Sequence, residues 1–137
     1  MKWTPHIQAV LFDMDGTLLD SEHLTDAAVA RLLKRAGLDV EMDYTRFHGM
    51  TWKRIADTLR QECPTLADRS LETQLQAFFH QGLLDSIPPM IPGAADAVRA
   101  AAGRCHTALV TSSDRESAEH VIASLALSTA LDCLVCA

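Results

Sequence analysis

The sequence predicts an α/β fold, a parallel sheet with a block of helices inserted after its first strand. Three observations carry this reading. Short apolar runs of strand length recur at 9–12, 107–110 and 131–137, while the stretches between them show helical periodicity. One segment rich in Pro and Gly, Pro88-Pro89-Met90-Ile91-Pro92-Gly93, separates a purely helical stretch from a helix–strand alternation. The order strand, helices, hinge, helix, strand, helix, strand calls for right-handed crossovers and therefore parallel pairing.

Ala9-Val10-Leu11-Phe12 has the composition of a strand buried on both faces. It leads into Asp13 and Asp15, one residue apart, so in extended chain both carboxylates point the same way. Gly16 then permits a turn that a residue with a Cβ resists. Ser21 is placed to cap the next helix, with Glu22 and Asp26 at its positive end. Leu24, Ala28, Val29, Leu32 and Leu33 form its apolar stripe, Lys34 and Arg35 suit its last turn, and Gly37 ends it.

Residues 38–50 read as irregular. Thr51 looks like the cap of a second helix carrying Ile55, Ala56 and Leu59, stopped at Cys63-Pro64. A third starts near Ser70 with Leu71, Leu75, Phe78 and Phe79 at helical spacing. These stripes read as core packing. Beyond the hinge, residues 94–102 form a helix ended by Gly103, and 107–110 a buried strand running into Thr111-Ser112-Ser113. Asp114 to Leu125 is the last helix, with Ala118, Val121, Ile122 and Leu125 inward, and 131–137 the third strand.

Bulk properties narrow the function. A chain of 137 residues buries roughly two thirds of its unfolded surface, enough for one domain with a small appendage. A net charge of −6 without a basic stripe argues against a nucleic-acid surface. No run approaches transmembrane length, so no membrane role is expected, and MKWTPHIQ lacks a leader's apolar core. Cys63, Cys105, Cys133 and Cys136 make no dense framework, which points to a reduced cytoplasmic setting. Cys133 and Cys136 lie in an apolar run and are read as core side chains rather than a metal pair.

The stretch Phe12 to Glu22, FDMDGTLLDSE, resembles the first motif of the haloacid dehalogenase (HAD) superfamily of phosphotransferases. The resemblance implies a HAD-like Rossmannoid core over 1–20 and 88–137, its C-terminal strands missing, with an α-helical cap over 21–87. The cap is similar to that of the branch holding small-molecule phosphatases and phosphosugar mutases. By match to the motif, Asp13 is the nucleophile that forms an aspartyl-phosphate, and Asp15 the general acid and then base. Mg²⁺ is implied as cofactor, held by the Asp13 carboxylate and the Asp15 backbone carbonyl. Val110-Thr111-Ser112-Ser113-Asp114 resembles the second motif, so Thr111 and the Ser112 N–H are the implied phosphate ligands.

Two further parts that the resemblance calls for, a Lys or Arg after the third strand and an acidic pair after the fourth, do not occur before Ala137. The lysines are Lys2, Lys34 and Lys53, and Arg115 lies too close to the second motif. A charge about 4 Å from the phosphate contributes about 4 kcal/mol at an effective dielectric of about 20, roughly a thousandfold in rate. The 137 residues alone are therefore expected to be inactive or very feeble. In the family the first strand is central, so here it is expected to present an unpaired edge through which copies associate.

The implied substrate is a small phosphorylated metabolite, a sugar phosphate or phosphoglycolate. Arg46, His48 and Lys53, in the loop and helix start of the cap, are candidate substrate contacts. The mutases carry a basic residue where this chain has Thr25, and Arg where it has Trp52, which favours a phosphatase over a phosphohexomutase. A non-catalytic binding module is the reading of a different class.

Overall fold

The structure, a computed structural model, describes residues 6–67 and 70–137; most of the N-terminal segment inspected for a leader lies outside them. The chain forms two compact units, Met1–Asp20 with Ile87–Ala137, and Ser21–Ser86.

The first unit is built on a parallel sheet of order β1-β2-β3, with β1 at Ala9–Phe12, β2 at His106–Val110 and β3 at Cys133–Val135. Phe12 lies opposite Leu109, and Leu109 opposite Leu134. Two helices belong to this unit, Ala94–Ala102 and Arg115–Ser124 (called α4 and α5, after the three of the second unit). They cross from strand to strand in one direction, and right-handed crossovers of that kind place both on one face of the sheet. Under them lie Val98, Ala101, Leu109, Ala118 and Val121, none of which is exposed. Asp132 closes the unit at the other end. It accepts the Thr107 N–H at 2.9 Å, and that bond, with His106 beside it, holds its carboxyl below the usual range.

Two expectations are corrected here. The first strand is not buried on both faces: Leu11 is 67% exposed. Leu11, Ala108 and Cys133 lie side by side in register, so they share a face, and Val110 and Val135 follow on it, 37% and 49% exposed. That face is the one opposite the helices. For the same reason Cys133 is exposed rather than core. Cys136 is only half-buried, and that burial pushes its thiol up. Among the described residues the outer edge of β1 pairs with no strand.

The second unit holds α1 (Glu22–Arg35), α2 (Trp52–Glu62) and α3 (Leu71–Asp85), with short 3₁₀ turns at Tyr44–Phe47 and Pro64–Leu66. The predicted stripe of α1 is buried, together with Thr25. Ser21 occupies the N-cap position but its hydroxyl makes no capping bond; its carbonyl takes the Leu24 N–H instead. Thr51 does cap α2, its Oγ1 accepting from the Arg54 N–H at 3.3 Å. Gly37, at φ +74°, turns the chain off α1. α1 packs on α3, and a Cβ at Gly82 would sit 3.0 Å from Leu24 Cδ2, so glycine there permits the close approach. Phe47, 0% exposed, ties the 3₁₀ turn to this core, and Trp52 meets Phe79 edge to face at 5.2 Å.

Candidate active site

The first candidate segment begins where β1 stops, at Phe12, one residue short of Asp13. Met14, between the two aspartates, is 0% exposed, and its carbonyl accepts the N–H groups of Leu18 at 2.8 Å and Leu19 at 3.1 Å. Gly16 takes φ +71° and donates to the Leu19 carbonyl at 2.8 Å. The hinge clamps the same loop: the Asp20 N–H reaches the Pro89 carbonyl at 2.8 Å, and the Ile91 N–H the Leu18 carbonyl at 2.9 Å. With Met14 pinned inward, its neighbours are turned outward. Asp13 is exposed and Asp15 half-buried, and the Thr17 hydroxyl approaches Asp13 Oδ2 at 3.5 Å.

The second segment leaves the adjacent strand at the same end, because Phe12 and Leu109 are paired in parallel. Thr111 is buried, its N–H donating to the Val135 carbonyl at 3.0 Å, and its Oγ1 accepts the Ser113 N–H at 3.0 Å. Ser112 is exposed. Capping of α5 falls to Asp114, whose Oδ1 accepts the Ser117 N–H at 2.9 Å, so Thr111 and Ser112 are not spent on the helix. Arg115 pairs with Glu119 along α5 at 3.5 Å.

The two segments touch. Ser113 Oγ donates to Asp15 Oδ2 at 2.9 Å, joining residues 98 positions apart. Sequence reasoning passed over Ser113; the only signal for it was a third hydroxyl in the run Thr111-Ser112-Ser113. The donors offered by Asp13 and Asp15 are all oxygen, without imidazole or thiolate, and that chemistry fits a hard divalent cation.

In the second unit the three substrate-contact candidates each meet an acidic side chain. Arg46 joins Glu62, whose hydrogen bond raises the guanidinium further, and its head also lies 4.7 Å over the Phe47 ring. His48 Nε2 meets Asp26 Oδ1 at 2.8 Å. Lys53 pairs with Asp57 one helical turn on at 2.7 Å, which raises the ammonium and lowers the carboxyl. These pairs link the 3₁₀ segment to α2 and to α1, and brace α2 itself.

A family model described as haloacid dehalogenase-like hydrolase matches residues 7–137. The chain is 28% identical over 133 residues to validoxylamine A 7'-phosphate phosphatase of Streptomyces hygroscopicus subsp. limoneus, covering 95% of this chain and 62% of that protein. Among solved structures it is similar to the haloacid dehalogenase-like family protein SP0104 of Streptococcus pneumoniae, with a TM-score of 0.73 and 19% identity over 96% of this chain and 61% of that one. CbbY of Rhodobacter sphaeroides is similar at a TM-score of 0.68 and 21% identity, over 95% and 63%. The chain thus spans about three fifths of the length of these relatives.

Proposed function

The chain belongs to the haloacid dehalogenase-like hydrolase family, and on that premise we propose that it hydrolyses a small phosphate monoester through an aspartyl-phosphate on Asp13. The observation that carries this is the parallel pairing of Phe12 with Leu109, which sends the Asp13–Asp15 and Thr111–Ser112 segments out from neighbouring strand ends. Open α/β sheets bind ligands at the carboxyl ends of their strands. The phosphatase of 28% identity supports a phosphate monoester as the substrate class, and within that class the proposal is a sugar phosphate or phosphoglycolate.

Hydrolysis runs in two displacements. An Asp13 carboxylate oxygen attacks phosphorus, the bond to the ester oxygen breaks, and Asp15 gives that oxygen its proton. Asp15 then takes a proton from water, whose oxygen attacks the phosphorus and releases Asp13 and inorganic phosphate. The Thr111 hydroxyl and the Ser112 N–H donate to the phosphoryl oxygens during both steps. Oxygens of Asp13 and Asp15 would hold a Mg²⁺ ion, whose charge would offset the repulsion between the carboxylate and the phosphate dianion.

The test is p-nitrophenyl phosphate hydrolysis by the chain in Mg²⁺ and again in EDTA. Slow release of nitrophenolate that stops when the metal is chelated is the expected result. The same rate in both buffers removes the reading and leaves a non-catalytic module that binds phosphorylated ligands.

The outer edge of β1 and the exposed face beside it support self-association of this chain, since unpaired strand edges template pairing. Leu11→Lys places a charge on that edge and is expected to convert oligomers into monomer. Light scattering after gel filtration reads the mass. Monomer in both proteins sinks the proposal.

A further inference from the structure

We infer that Ser113 is a positioning residue that sets the rotamer of Asp15 and the orientation of the Thr111 hydroxyl together. The inference rests on the proposed phosphatase reading and adds a residue to it. Ser113 is half-buried and held by every polar group it has. Its N–H donates to Thr111 Oγ1 at 3.0 Å, its carbonyl accepts the Ala137 N–H at 3.3 Å, and its hydroxyl donates to Asp15 Oδ2 at 2.9 Å.

Each bond has a consequence. An acceptor role toward the Ser113 N–H occupies one lone pair of Thr111 Oγ1 and leaves its O–H to serve as a donor to a phosphoryl oxygen. The bond to Asp15 crosses from the β1 loop to the β2 loop, so the carboxylate is tied to the same frame as the phosphate donors. Asp15 follows a buried Met14 and precedes a glycine at φ +71°, so its backbone is set locally, and Ser113 is a group that holds its side chain. A general acid misplaced by about 1 Å loses up to about a hundredfold in rate.

The test has two readouts on wild type, Ser113→Ala and Ser113→Thr. Three-bond couplings from the Asp15 backbone nitrogen and carbonyl carbon to its Cγ report χ1 without any turnover. One rotamer in wild type and Ser113→Thr, averaged couplings in Ser113→Ala, is the expected pattern; an unchanged single rotamer in Ser113→Ala overturns the inference. The second readout is kcat/KM for Asp13-dependent hydrolysis of two esters. An alkyl phosphate needs a proton on its leaving oxygen, and its kcat/KM should fall about tenfold to a hundredfold in Ser113→Ala and recover in Ser113→Thr. p-Nitrophenyl phosphate, whose leaving group needs none, should change by less than about twofold. Equal losses on both esters mean a merely structural role and also overturn the inference. If Asp13-dependent turnover is missing altogether, the phosphatase reading fails while the couplings still decide the role of Ser113.

Discussion

Replacing Asp13 with asparagine is expected to bring p-nitrophenyl phosphate hydrolysis down to the rate without protein. The amide has the shape of the carboxylate but no anionic oxygen to attack phosphorus, so the change removes the nucleophile and little else. Asp13 is exposed and the Thr17 hydroxyl stands 3.5 Å from its carboxylate, so the fold around it has little to lose. Unchanged unfolding by urea, with turnover gone, is the expected pair of results. Intact-mass analysis after acid quench gives a direct check, since only the wild type should gain a phosphoryl group. A variant that turns over as fast as wild type places the chemistry on another residue.

Phe47→Ala should destabilise the helical unit by about 3–5 kcal/mol, the usual cost of emptying a buried phenylalanine site. Phe47 has no exposed surface, and it is the buried residue of the 3₁₀ turn that packs on α1. Its ring also lies under the Arg46 guanidinium, which is itself tied to Glu62 at the end of α2. Removing the ring takes away that packing and leaves the ion pair without its platform. A domain held by roughly 5–15 kcal/mol loses a large part of its margin. Urea unfolding followed by the fluorescence of Trp52, in the same unit and edge to face with Phe79, reads the effect. A midpoint that does not move shows that the turn is not part of the cooperative unit.

His48 and Lys53 show how far a residue type can be read in isolation. Basic side chains in a loop and helix start suggest substrate contacts, and the structure gives each an acidic partner, Asp26 and Asp57. Lys53–Asp57 is an i,i+4 pair that the sequence displays openly. His48–Asp26 spans 22 positions and required the loop to fold back on α1 before it existed.

What the sequence by itself determined is local. Hydrophobic period placed the helices, Thr51 and Asp114 marked two of their starts, and the run through Asp13, Asp15 and Gly16 set the turn after the first strand, because strand alternation and a glycine turn are properties of neighbours along the chain. Tertiary structure decided the rest. Both crossover helices lie on one face, so Leu11 and Cys133, apolar by type, are exposed. Ser113 meets Asp15, 98 positions away in the chain, only because β1 and β2 pair in one register. Burial and long-range hydrogen bonds depend on which segments become neighbours in space, and no window along the chain contains that information.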